Sequence, residues 1–378
     1  MADKGRPAGS GFSLKDHLFN ADTLGDLARE HAVLPGFDPD RFLETVLPGL
    51  ASRELLERLD WIADCLEAQL PRDFNAMADA LEAAMLPPLD PSLRDDDFGR
   101  FIHAVPGVLA VRHGLEDHRD RALDLLHAAT QRFSMEFYIR PFLNRWPSET
   151  MARLHLWADD AHYHVRRLVS EGTRPRLPWA RNIDLVLTDP LPLLDRLHAD
   201  PARFVTRSVA NHLNDIAKVA PDVAMDRLED WAQADRQEAK ELAWMTAHAL
   251  RTLVKQGHPR AMRIVGFDPD LSVSATLDLP ATCRIGEVMA FAVTLTGPPG
   301  AGVLVDYAVD FVKAGGSTAP KVFKLKQARI GRDGTLRLDK RHRFKGDATT
   351  FRLYPGTHAL TVQVNGVPRA RAAFDLTA

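Results

Sequence analysis

Between residues 205 and 216, Val205, Val209, Leu213 and Ile216 fall within one narrow arc when projected at helical spacing, and Arg207, Asn211, Asn214 and Asp215 occupy the roughly opposite arc. A polar arc is ordinarily a solvated face. Residue choice favours a site here, because a merely soluble face uses Lys and Glu, whereas two Asn in a helix interior sacrifice helix propensity. Upstream, Arg167 and Glu171 take the angular positions of Arg207 and Asn211. Gly172 then ends that helix, and Pro175 and Pro178 hold the connection extended, projecting Arg174, Arg176 and Trp179 from a stiff loop. Arginine beside an aromatic ring suits phosphate contact and stacking on a base or sugar. A Trp that anchors the loop while its arginines face solvent is compatible with the same string. A further carboxylate, Glu136, stands among apolar neighbours on a short helical stretch, where pairing with Arg140 four residues on is the simplest reading.

The elements that must hold these residues are helical from about Phe12 to Phe267. Amphipathic segments follow one another with short breaks, and 86–97 is the one longer loop expected. Residues 156–171 align with 196–211 at an offset of 40, matching Asp160 to Asp200, Val165 to Val205 and Arg167 to Arg207. A helix-pair repeat of that length is in the range of HEAT-type solenoids, an α-α superhelix whose stacked pairs would line up one continuous polar strip. After Gly266-Phe267-Asp268-Pro269 the pattern changes to short alternating runs, such as 303–312, between turns such as Gly315-Gly316 and Asn365-Gly366. About seven candidate strands fit an immunoglobulin-like β-sandwich, with a small barrel as the alternative. The expected organisation is a tail at 1–11, a helical-repeat domain at 12–267 and an all-β domain at 268–378.

Composition narrows the function classes. The 378 residues carry a net charge of −3, which argues against a surface coated for bulk nucleic-acid binding. The mean hides a division: residues 268–378 hold fifteen Lys and Arg against ten Asp and Glu, so 1–267 carry −8. Any polyanion would be held locally, and Lys324, Lys326, Arg341 and Arg343 are the basic candidates on the β-domain, although lysine also protects edge strands from aggregation. The two cysteines are far apart and form no CxxC, and neither a signal peptide nor a membrane span is present, so a cytoplasmic monomer is expected. There is no P-loop, no glycine fingerprint after a strand, no HExxH and no GxSxG, so no nucleotide cofactor, metal or common hydrolase chemistry is expected.

Four strings carry a resemblance: 132–142 around Glu136; 157–179 from Trp157 through Glu171 to Trp179; 207–218 with Asn211, Asn214 and Asp215; and 248–259. Together they resemble the DNA alkylation repair glycosylases of the AlkC and AlkD type, most closely the AlkC branch, one subgroup of which also carries a C-terminal immunoglobulin-like domain. The resemblance implies a cofactor-free, monofunctional glycosylase acting on double-stranded DNA that contains cationic methylated bases, with N3-methylcytosine, N1-methyladenine and N3-methyladenine as substrates. It also implies an acidic site of Glu136, Glu171 and Asp215, with Trp157 and Asp160 supporting or contacting the substrate. Fold alone is equally compatible with a non-catalytic helical scaffold or a protein that binds lesions without cleaving.

Overall fold

The computed structural model describes residues 13–95, 97–346 and 351–378; the tail expected at 1–11 lies outside them. Two compact units divide the chain between Asp215 and Ile216, inside the helix Arg203–Ala217, with 236–238 belonging to the first unit.

The first unit is helical. Three of its helices start where the sequence supplies an acceptor for the open backbone amides: Asn20 and Thr23 form a reciprocal capping box before Ala21–His31, and Asp38 and Asp73 cap the helices Pro39–Val46 and Phe74–Ala84. The repeated positions have a local cause. Asp160 Oδ1 accepts the amide of His162 at 2.7 Å, and Asp200 Oδ1 accepts that of Ala202 at 2.8 Å. The helices Tyr163–Gly172 and Arg203–Ala217 follow directly, and Val165 and Val205 are both fully buried. Burial of each valine stabilises by roughly 1.5–3 kcal/mol. The two copies are cross-linked, since Arg166 grips the Asp200 carboxylate at 2.5 and 3.1 Å while donating to the Asp160 carbonyl at 2.7 Å.

One expected element is displaced. Helix begins only at Ile139, because Phe133 is held extended by a β-bridge to Gly99 and a turn closes from the Tyr138 amide to the Met135 carbonyl. Glu136 therefore sits in that turn, before the helix.

The second unit contains the helices Pro221–Ala234, Ala239–Ala249, Arg251–Lys255 and Pro259–Ile264, followed by a two-sheet sandwich. Its strands are β1 (Ser274–Asp278), β2 (Thr282–Arg284), β3 (Val288–Thr296), β4 (Gly302–Val312), β5 (Thr318–Arg329), β6 (Thr335–Arg343), β7 (Gly356–Val364) and β8 (Val367–Thr377). One sheet has the order β1-β3-β6 and the other β2-β8-β7-β4-β5, so β5 and β6 are both edges. The inner faces supply Phe291, Val293, Leu295, Val305, Tyr307, Val309, Leu360 and Phe374 to one core. Asn365 and Gly366, with φ of 50° and 80°, make the tight turn from β7 to β8. That turn is also a fastener within this unit. A Cβ on Gly257 would lie 2.5 Å from the Gly366 carbonyl oxygen, and the Asn365 side chain donates to the Asp268 carbonyl at 2.8 Å. The linker is pinned again by Arg369, which donates to the carbonyls of Pro269 and Leu271.

Candidate active site

The three carboxylates singled out from sequence lie in one alternating chain with two arginines. Arg167 Nη1 donates to Glu136 Oε2 at 2.5 Å, and its Nη2 is 3.7 Å from Glu171 Oε1. Arg174 Nη1 donates to the same Glu171 oxygen at 2.5 Å, while its Nη2 and Nε reach Asp215 Oδ2 at 2.8 and 3.0 Å. The order is Glu136, Arg167, Glu171, Arg174, Asp215. Their side chains differ in access: Glu136 is 18% exposed, Glu171 7% and Asp215 3%.

The five members come from four elements. Glu136 comes from the turn before Ile139, Arg167 and Glu171 from consecutive turns of Tyr163–Gly172, Arg174 from the loop after that helix, and Asp215 from Arg203–Ala217. Ser134 Oγ donates to Glu136 Oε2, and Ser208 Oγ donates to Glu171 Oε2 at 2.6 Å. Burial pushes the Glu171 carboxyl up, but Arg167, Arg174 and the hydrogen bonds from Ser208 and Arg174 outweigh it and hold the group below its ordinary value. It stays ionised. His212 is buried and neutral, its imidazole pushed down to about 4 chiefly by burial, so it adds no positive charge.

The anticipated pairing of Glu136 with Arg140 is not formed. Arg140 is buried and spends its donors on backbone carbonyls: Arg181 at 2.5 Å, Gly172 at 3.0 Å and Arg174 at 2.8 Å. It positions the loop that carries Arg174, and burial together with the Arg174 charge pushes its pKa down to about 10. Arg167 and Arg174 are both engaged with the acids. Both are largely buried among carboxylates, and the Arg167 guanidinium lies 4.5 Å from the Phe204 ring centroid. Arg207 pairs with Asp95 from the long loop. Asn214 is buried and Asn211 half-buried.

Trp157 and Asp160 share a neighbour in His127. The tryptophan is buried with its ring 5.3 Å from that of His127, and Asp160 accepts from His127 Nε2 at 2.7 Å besides the His162 amide. In the loop beyond Arg174, Arg176 is exposed, and Trp179 is 70% exposed with φ of 65°. A bulky residue held in the left-handed region costs on the order of 1–3 kcal/mol and marks a constrained position. On the sandwich, Lys324, Lys326, Arg341 and Arg343 are all exposed. Lys324 pairs in register with Asp306, whose carboxyl burial raises to about 6 against the pull of Lys324 and Lys255. Among the described residues, no helix is long and apolar enough to cross a membrane.

Comparison with known proteins places this geometry. Residues 273–378 match the family described as uncharacterised protein YhaZ, C-terminal Ig-like domain. Over 361 residues the chain is 32% identical to the uncharacterised protein YhaZ of Bacillus subtilis (strain 168), covering 92% of this chain and 95% of that one. Among solved structures it is similar to the alkylpurine DNA glycosylase AlkC of Pseudomonas fluorescens bound to DNA containing an abasic site analogue. That match has 34% identity and a TM-score of 0.85, and it covers 97% of this chain and all of the other.

Proposed function

The chain belongs to the AlkC branch of the DNA alkylation repair glycosylases, and we propose that it excises cationic N-methylated bases from double-stranded DNA with Glu136, Glu171 and Asp215 as its catalytic residues. The observation that carries this reading is the alternating chain of three carboxylates and two arginines, drawn from four separate elements of the first unit.

A base methylated into a cation leaves as a neutral molecule, so it needs no general acid, and positive charge develops on the sugar. Ionised carboxylates already fixed in place stabilise that oxocarbenium and orient the water that captures it. One such group contributes about 3–4 kcal/mol by analogy with preorganised oxyanion sites. Arginine suits the role of holding them, because its forked donors fix carboxylate orientation and stay protonated. The most accessible acid, Glu136, is assigned to the water, and the more buried Glu171 and Asp215 to the sugar charge. The five described members of that alternating chain are carboxylates and guanidiniums, none of which forms a Schiff base, and this supports a monofunctional enzyme.

Trp179 and Arg176 contact the DNA from their loop, and Arg207 and Asn211 flank the acids. Residues 12–267 form the glycosylase domain of a monomer. The exposed cations Lys324, Lys326, Arg341 and Arg343 of the 268–378 domain hold backbone phosphate without reading bases.

Incubation with duplexes carrying N3-methylcytosine, N1-methyladenine or N3-methyladenine is expected to release free base and leave alkali-labile abasic sites. Intact DNA with all three lesions at excess protein would overturn the proposal in favour of a lesion-binding protein.

A further inference from the structure

At one end of the sandwich, a cavity of about 580 Å³ opens between β4, β5, β6 and the segment leading into β7. Five of its lining residues are cations, Lys313, Lys321, Arg343, Lys345 and Arg352, and among the described lining residues there is no carboxylate. Its floor is aromatic. Lys321 shares a strand face with Phe323 and Leu325, both packed against the sandwich core, so this lysine continues an otherwise apolar inner face at the point where the core gives way to the cavity. The Lys321 ammonium lies 5.5 Å from the Phe323 ring centroid and 5.2 Å from that of Phe351. Phe351 is 45% exposed.

An inward charge on an edge strand can serve to discourage aggregation, and that would explain one lysine. It does not explain five cations in a cavity where one ammonium lies against two rings. A small inorganic anion would need no rings, and an apolar ligand would need no cations. A flat ring bearing phosphate uses both, which is the combination found in grooves that bind single strands. His342 adds hydrogen bonding without charge: its Nδ1 is 2.9 Å from the Tyr307 hydroxyl, and burial together with Lys340 and Lys321 pushes its pKa down to about 4.

We propose that this cavity receives one unpaired nucleotide of a DNA strand, its base stacking between Phe323 and Phe351 where the Lys321 ammonium now lies, and its phosphates meeting Arg343 and Arg352. The choice of DNA as the source of the nucleotide rests on the glycosylase reading. The cavity lies in the second unit and, Arg343 apart, uses residues that the reading does not.

The test is fluorescence anisotropy on the full chain with a labelled oligothymidylate, an abasic oligonucleotide of equal length and free thymidine monophosphate. The base-containing strand is expected to bind about tenfold more tightly than the abasic one. Phe351→Ala should remove that difference, and Lys321→Glu should weaken both strands, with circular dichroism confirming that both variants fold. Equal affinity for the two strands, or a Phe351→Ala protein that still discriminates, overturns the site. Displacement of the strand by the mononucleotide at equal concentration overturns the assignment to a strand. Excision of a methylated duplex by the wild-type protein, measured in parallel, decides the glycosylase reading separately.

Discussion

Arginines in the helical unit and cations on the sandwich are used in opposite ways. In the first, Arg166, Arg167 and Arg174 are each committed to a carboxylate and mostly buried. On the sandwich, Lys321, Arg341, Arg343 and Lys345 make no ion pair among the described residues and remain exposed. A buried, paired charge is fixed in position and ready to stabilise a charge that forms during reaction, whereas an exposed one is screened and adjustable, suited to capture. The number of basic residues in a region is therefore a poor guide to where DNA is gripped.

The contrast breaks most severely at Arg174. Replacing it with Ala removes a guanidinium shared by Glu171 and Asp215 in a buried setting, and a loss of roughly 3–5 kcal/mol is expected in chemical denaturation, with folding abolished at the upper end. If stability falls by less than about 1 kcal/mol, as for an exposed pair, Arg174 belongs with the mobile cations after all. Next come the acids themselves. Asp215→Asn and Glu171→Gln should retain DNA affinity while single-turnover excision slows by about 10²–10³-fold, and Glu136→Gln should be equal or milder. Normal excision by all three would reassign the site even with the activity intact.

A smaller effect sharpens the comparison through pH. Because the Glu171 carboxyl is held below its ordinary value, the stability it contributes is present above its unfolded pKa and is lost as pH falls through the lower folded one. Ser208→Ala removes one of the interactions that lower it, so the acid limb of the excision profile should move to higher pH. Excision at neutral pH should fall about tenfold, the equivalent of about 1.4 kcal/mol. An unmoved limb would show that the serine only packs. The smallest expected change is on the sandwich, where Lys326→Ala, Arg341→Ala and Arg343→Ala should each weaken duplex binding modestly and reduce its salt dependence by about one counterion. Binding that is independent of these residues would leave the basic surface to another ligand.

Much of the site was legible because it is written in short strings. Glu136, Glu171 and Asp215 each stand in one of the strings that carry the resemblance, and Asp215 lies on a helix whose apolar arc is unambiguous. The repeat was legible because Asp160 and Asp200 do the same local work at two helix starts. What failed were inferences that assumed an element or lacked a distant partner. The spacing of Glu136 and Arg140 suggests a pair only inside a continuous helix, and the helix starts between them. Asp95, the partner of Arg207, lies in a loop with no periodicity to announce it. Ser208 is an ordinary residue until the preceding helix brings Glu171 to its hydroxyl.

The close passage of Gly257 over Gly366 constrains the order in which this chain can mature on the ribosome. The turn after Arg251–Lys255 emerges first, and the hairpin it rests on is translated far later. Until residues 365–369 emerge, the carbonyls of Asp268, Pro269 and Leu271 lack the Asn365 and Arg369 side chains that cover them. The helices within 239–264 thus complete their packing only after that hairpin has been made. A chain stopped near Asp268 would be a frozen translation intermediate rather than a clean half, with amides in 239–264 exchanging with deuterium faster than in the full protein; equal protection would show that these helices mature without the sandwich.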